Sequence, residues 1–122
     1  MAVVYSATVK DARLTAVVTA IGASGKIEIG TAGMALILAV IDLNSTAGTV
    51  SGGILTFSGF PRSDTSADNS GVAAAARIRT GANADIVTGL TVGTSGADII
   101  LDSTNITAGQ TVTLNAASIT HS

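Results

Sequence analysis

The stretch Lys26-Ile27-Glu28-Ile29-Gly30 decides the fold class of this chain. Apolar and charged side chains alternate in it with a period of two, which places the isoleucines on one face of a β-strand and the charges on the other. From there to residue 120, short alternating or apolar segments are separated by turns rich in glycine, serine and threonine. Short strands at such spacing predict a mainly β protein, a small antiparallel β-sandwich or barrel.

The remaining strands are predicted from the same alternation and from short apolar runs. The segment 34–43 is apolar on both faces, which suits a central strand covered on one side by the helix or by a neighbouring subunit. The polar segment 61–71 is rich in turn-forming residues and predicts an exposed loop. The other predicted strands cover residues 48–60, 72–79, 84–92, 97–101 and 110–120.

One segment, residues 6–22, has a helical period instead. Its apolar residues recur at i, i+3, i+4 and i+7, namely Leu14, Val17, Val18 and Ile21. Thr8 and Asp11 predict a capping box at its start, and Gly22 and Gly25 predict its end. The chain is thus expected to form a single domain over residues 1–122, with one N-terminal α-helix followed by a β domain over residues 26–120.

The composition predicts a thin core that needs support from other chains. Tyr5, Phe57 and Phe60 are the only aromatic residues of the 122, and cysteine is absent. Charged residues make up 11% of the chain, against about 25% in ordinary soluble domains. Small domains with weak cores and no disulfide commonly depend on oligomerisation or on docking to a partner. We therefore expect a homo-oligomer that functions within an assembly.

The sequence argues against several function classes. The apolar run 34–43 is too short to cross a bilayer, which needs about 20 residues, so no membrane association is expected. The net charge of -2 argues against a nucleic-acid surface. The first residues show no basic segment before an apolar stretch, which predicts synthesis in a cytoplasm without a secretory signal.

Few residues could support catalysis or metal binding. The single histidine, His121, is penultimate, and chain ends usually fray. Without cysteine, the nucleophilic triads and the common zinc sites have no ligand set. A calcium site remains conceivable, but turn capping is the favoured interpretation of the residues concerned: Asp64, Asp68, Asn69, Asp98 and Asp102. We predict no catalytic residue, no cofactor and no metal.

Four residues are candidates for contacts with a partner. Arg77 and Arg79 lie on one face of the predicted strand 72–79, where their guanidinium groups could bind carboxylates of another chain. Two solvated surface arginines are an equally good interpretation. Leu14 and Val18, on the apolar stripe of the helix, complete the set of candidate interface residues.

Segments along most of the chain resemble small structural proteins of tailed bacteriophages and prophages. The similar segments are residues 11–18 (DARLTAVV), 30–35 (GTAGMA), 58–64 (SGFPRSD), 88–98 (TGLTVGTSGAD) and 106–113 (ITAGQTVT). The resemblance implies a non-enzymatic virion protein, a capsid decoration or cement protein on the capsid surface, with the major capsid protein as partner. It also favours a trimer over a dimer, because capsid lattices offer quasi-threefold sites.

Two alternatives stay open at this point. A head-fibre, collar or tail module is the first, although the chain has neither the long repeat nor the coiled coil that a stalk needs. A carbohydrate-binding β-sandwich is the second, with only Tyr5 available as an aromatic platform for a sugar ring.

Overall fold

The computed structural model describes residues 5–43, 46, 48–59 and 61–120. In this part of the chain one α-helix precedes eleven short strands, and a single 3-10 turn lies at Ala32–Met34. The elements are α1 (Ala7–Ile21), β1 (Lys26–Gly30), β2 (Ile37–Asp42), β3 (Gly48–Ser51), β4 (Ile54–Phe57), β5 (Arg62–Asp64), β6 (Gly71–Val72), β7 (Ala75–Arg79), β8 (Asp85–Gly93), β9 (Ile99–Leu101), β10 (Asn105–Ile106) and β11 (Val112–Thr120).

The predicted N-terminal helix is confirmed, but its cap differs from the prediction. Ser6, not Thr8, is the N-cap residue, and its Oγ accepts a hydrogen bond from the Val9 amide at 3.3 Å. The carboxylate of Asp11 accepts instead from the amide of Gly53, at 2.7 Å, and so ties the helix to the turn between β3 and β4. The helix ends at Gly22, whose φ of 74° is easy for a residue without a Cβ.

Most strands join one curled sheet in the order β2-β1-β7-β8-β9-β11-β4-β3. Neighbouring strands are antiparallel, except that β8 and β9 run parallel. Strand β5 pairs with β11 and also packs against β2, so the sheet nearly closes on itself. Helix α1 packs on β3, β4 and β8. This arrangement confirms the mainly β, sandwich- or barrel-like fold class with one N-terminal helix.

The core consists of aliphatic side chains and alanine, as the composition predicts. Of the two phenylalanines, Phe57 is buried, whereas Phe60 lies outside the described residues. The helix contributes Leu14 and Ile21, and Val17 and Val18 pack at the margin of the core. The largest fully buried side chains are Ile21, Ile27, Ile29, Leu38, Ile41, Leu55, Ile78, Ile99, Leu101, Val112 and Leu114.

The prediction of an exposed loop at 61–71 is wrong in part. Residues 62–64 form β5, and Ala67 is only 4% exposed. Backbone hydrogen bonds join Ala67 N–H to Gln110 O at 2.9 Å and Asp68 N–H to Leu38 O at 2.8 Å. The segment is polar because its side chains provide partners for neighbouring backbone groups, and polarity alone did not distinguish that role from exposure.

Three strand boundaries also differ from the prediction. The predicted strand 48–60 is a hairpin, because Gly52 and Gly53 have φ of 60° and 78° and form a tight turn. The strand predicted to begin at residue 34 begins at Ile37, after the 3-10 turn, and it lies at the end of the sheet order and not in its centre, which corrects the prediction of a central strand. Within 72–79 the alternation is interrupted: Val72 is 57% exposed and Ala73 is 4% exposed. Gly71–Val72 (β6) pairs with β10 in a separate two-stranded sheet, and pairing with β1 and β8 starts only at β7.

Candidate interface on strands β1, β7 and β8

A cluster of charged residues lies on one face of three neighbouring strands. The register places Lys26 opposite Arg79 and Glu28 opposite Arg77 in the pair β1–β7, and Arg79 opposite Asp85 in the pair β7–β8. The intervening residues of β1 and β7 point to the other face, where they are fully buried in the core. We call these five residues, Lys26, Glu28, Arg77, Arg79 and Asp85, the charged cluster.

The carboxylate of Glu28 is the centre of the charged cluster. Its Oε1 accepts a hydrogen bond from Nε of Arg77 at 2.6 Å and lies 3.5 Å from Nη1 of Arg79. Its Oε2 lies 4.0 Å from Nζ of Lys26. On the outer side, Nε of Arg79 forms an ion pair with Oδ1 of Asp85 at 2.8 Å.

Glu28 is buried because its three cationic neighbours cover it. Its side chain is 8% exposed, while those of Lys26, Arg77 and Arg79 are 20–24% exposed. A buried carboxylate costs several kcal/mol of desolvation unless ion pairs and hydrogen bonds compensate it. The paired cations provide that compensation, and their hydrocarbon stems exclude water from the carboxylate.

The structure therefore changes the interpretation of the two predicted arginines. Arg77 and Arg79 share a face, as predicted, but both already bind carboxylates of their own chain, so they are not two solvated arginines. Their contact with a partner remains a prediction. It would use the exposed part of each side chain, which is about a quarter of its surface. Sequence reasoning missed Glu28 and Asp85. The alternation in β1 does place Glu28 opposite the isoleucines, yet only the pairing of β1 with β7 brings it to the arginines.

The two helix candidates face the interior of the domain. Leu14 is 3% exposed and belongs to the core, which corrects its prediction as an interface residue. Val18 is half-buried and packs against the same core, and its role at an interface stays a prediction. Both residues lie on the apolar stripe of the helix, which in this fold is covered by the chain's own strands.

Two of the acidic residues considered as calcium ligands accept hydrogen bonds from backbone amides instead. Asp64 accepts from the amides of Val40 and Ser66, both at 3.0 Å, and Asp98 accepts from the amide of Thr91 at 3.1 Å. Among the described residues, no three acidic, histidine or cysteine side chains form a group that could hold a metal ion. His121 lies outside this part of the chain.

An open cleft of about 420 Å³ lies where β5 approaches β2. Two hydrogen bonds cross this cleft. The amide of Val40 donates to the carboxylate of Asp64, and Nη1 of Arg62 donates to the carbonyl of Asp42 at 2.5 Å. Side chains thus replace a strand ladder at this edge of the sheet, which protects it from pairing with a foreign strand.

Several large apolar side chains are exposed on the surface. Tyr5 carries the guanidinium of Arg13 over its ring, 4.8 Å from the centroid, so one face of the ring is covered. The exposed apolar residues, 41–57% accessible, are Tyr5, Val9, Leu36, Ile54 and Val72.

No protein-family model, no curated protein and no solved structure matches this chain. No helix within the described ranges is long and apolar enough to cross a membrane.

Proposed function

We propose that this chain is a non-enzymatic virion protein of a bacteriophage, a decoration or cement protein that binds the outer surface of the assembled capsid and stabilises it. The resemblance to tailed-phage structural proteins suggests the particle and the major capsid protein as partner. The fold is compatible with that role, because a compact β domain with one helix needs no further element to lie on a shell.

The distribution of charge carries the proposal. The chain has few charged residues. Several of them form ion pairs or hydrogen bonds with other groups of the same domain, namely Asp11, Glu28, Asp64, Arg77, Arg79, Asp85 and Asp98. The remaining surface is built from small polar residues and includes large apolar side chains that are up to 57% exposed. Apolar surface with so little free charge is typical of a protein that buries part of it against other chains.

Such a protein acts through binding rather than chemistry. A ligand that binds the assembled shell, but not free subunits, stabilises the shell by mass action in proportion to its occupancy and affinity. Contact across a boundary between neighbouring capsid subunits gives this selectivity, since the complete site exists only after assembly. Many copies then add their separate contributions over one particle.

We expect the purified protein to be oligomeric, with a trimer favoured over a dimer. Exposed apolar residues such as Leu36 and Val72 would be covered by neighbouring copies. Light scattering and sedimentation at micromolar concentration measure the mass directly. A monomer at every concentration tested contradicts self-association.

Capsid attachment provides the main test of the proposed function. We expect particles that lack this protein to assemble normally but to rupture at a lower temperature or after a milder osmotic shock, and we expect added protein to restore their stability. Binding should be saturable on assembled shells and absent on free capsid subunits. If particles that lack the protein keep their stability but no longer attach to the host, a head-fibre or tail protein is favoured instead.

The contribution of the charged cluster to attachment needs a variant that keeps the internal pairs. Changing Arg77 alone to glutamate would place two carboxylates together and destabilise the fold. The variant Arg77→Gln keeps the pairs of Glu28 with Lys26 and Arg79, places a hydrogen-bond donor beside the carboxylate, and removes one positive charge from the surface. We expect it to fold and to bind shells several-fold more weakly, because one attraction to acidic capsid residues is lost. Unchanged binding would place the contact elsewhere.

A further inference from the structure

Three groups of complementary chemistry meet at the start of β1. They are the amine of Lys26, the carboxamide of Asn83 and the carboxylate of Glu28. Nζ of Lys26 donates a hydrogen bond to Oδ1 of Asn83, and the same Nζ lies 4.0 Å from Oε2 of Glu28. We propose that Lys26 and Asn83 become joined by an intramolecular amide bond, an isopeptide cross-link, with Glu28 as the acid–base group.

The loop between β7 and β8 holds Asn83 in position. Asn83 has a φ of 66°, and its amide donates to the carbonyl of Thr80 at 3.0 Å. The amide of Ala84 donates to Oγ1 of Thr80 at 3.2 Å. A Cβ built on Gly81 would lie 2.8 Å from Cβ of Ser24, so this loop rests directly on the segment that precedes β1. The carboxamide is therefore presented to Lys26 by backbone contacts and not by a free loop.

Glu28 is held beside the amine in a similar way. It lies two residues after Lys26 on the same face of β1, and the hydrogen bond from Arg77 together with the ion pair to Arg79 fixes its carboxylate. Its side chain is 8% exposed, so little water competes for the carboxylate. With Oε2 at 4.0 Å from Nζ, a small side-chain shift or one bridging water gives the hydrogen bond that proton transfer requires.

The reaction balances with these groups alone. Glu28 takes one proton from the Lys26 ammonium, and the free amine attacks Cγ of Asn83 to form a tetrahedral intermediate. Glu28 returns the proton to the carboxamide nitrogen, the Cγ–N bond breaks, and the ammonia that leaves takes up the second proton of Nζ and departs as ammonium. An amide between Nζ of Lys26 and Cγ of Asn83 remains, and nothing is oxidised or reduced.

Proximity makes an otherwise slow aminolysis feasible. Well-oriented intramolecular reactions reach effective concentrations of roughly 10⁵–10⁸ M, which replaces the need for an activated carboxamide. The product would close a loop from residue 26 to residue 83 in a chain that has no cysteine. Such a link restricts the unfolded chain as a disulfide does and raises the unfolding temperature. This proposal is independent of the function proposed above.

Mass spectrometry of the denatured protein tests the proposal. We expect the wild type to be lighter than its sequence mass by one ammonia, and Lys26→Arg and Asn83→Ala each to have their full sequence mass. Lys10→Arg, on the helix, is the matched control and should keep the deficit. Wild-type protein of full sequence mass overturns the proposal.

Tryptic peptides distinguish the cross-link from a cyclic imide at Asn83, which also loses ammonia. A modified Lys26 is not cleaved, so the cross-link predicts peptide 14–62 joined to peptide 80–122 in one species. A deficit that persists in Lys26→Arg identifies the imide and overturns the cross-link. Glu28→Gln should prevent or greatly slow the mass loss, and complete conversion in that variant overturns its acid–base role.

Discussion

Replacing Leu14 with aspartate is expected to unfold the domain at physiological temperature. Leu14 is 3% exposed and lies where the helix packs on the sheet, so the variant loses apolar burial and places a carboxylate without a cation in the core. The two effects together are expected to cost more than about 4 kcal/mol, a large part of the stability of a domain this size. Thermal melting followed by circular dichroism measures the loss.

Ala16→Asp provides the matched control for this experiment. Ala16 lies on the same helix but is exposed, so a carboxylate there remains in water and should change stability by no more than about 0.5 kcal/mol. Val18→Asp should fall between the two, because Val18 is half-buried. If Leu14→Asp melts like the control, the apolar stripe does not face the core and the helix is wrongly placed.

Replacing Glu28 with glutamine is expected to cause the second-largest loss of stability. The substitution keeps the shape of the side chain but leaves Lys26, Arg77 and Arg79 close together without their shared anion. Because the group is buried and its partners are three-quarters covered, we expect a loss of about 2–3 kcal/mol at low salt. The loss should decrease as added salt screens the repulsion among the cations.

This measurement is best made in the Lys26→Arg background, in which no cross-link can form and the cluster keeps its charge. Asp85→Asn is the control, since the Asp85 side chain is 50% exposed and its pair with Arg79 should contribute no more than about 1 kcal/mol. Equal melting temperatures for the Glu28 and Asp85 variants would show that the buried carboxylate does not organise the cluster.

The charged cluster and the polar segment 61–71 use their polar groups in the same way. In both, side chains that sequence analysis assigns to solvent bind groups of the same chain: Glu28 binds two arginines, and Asp64 binds the amide of Val40 at the edge of β2. The domain thereby satisfies its buried polar groups and protects a sheet edge while presenting few free charges. This economy of surface charge is the property that connects the fold to the proposed role in an assembly.

The sequence by itself determined the elements whose signal is local. The spacing i, i+3, i+4 and i+7 of the apolar residues from Leu14 to Ile21 is sufficient for the helix, and alternation is sufficient for β1. The long strands β8 and β11 are marked by the glycine-rich turns that separate them. Side-chain periodicity follows from backbone geometry within one element, so it requires no knowledge of the rest of the chain. The aliphatic core likewise follows from composition, because almost no aromatic residue is available.

Only the tertiary structure decided which elements meet. Glu28 and Arg77 are far apart in the chain, and Asp64 reaches Val40 only because β5 returns to the open edge of β2. The turn at Gly52 and Gly53 and the burial of Leu14 by its own sheet depend on such long-range packing as well. Strand pairing is selected by the combined burial of all strands, and a single segment contains no information about its partner; this is why the charged cluster could not be predicted from its separate residues.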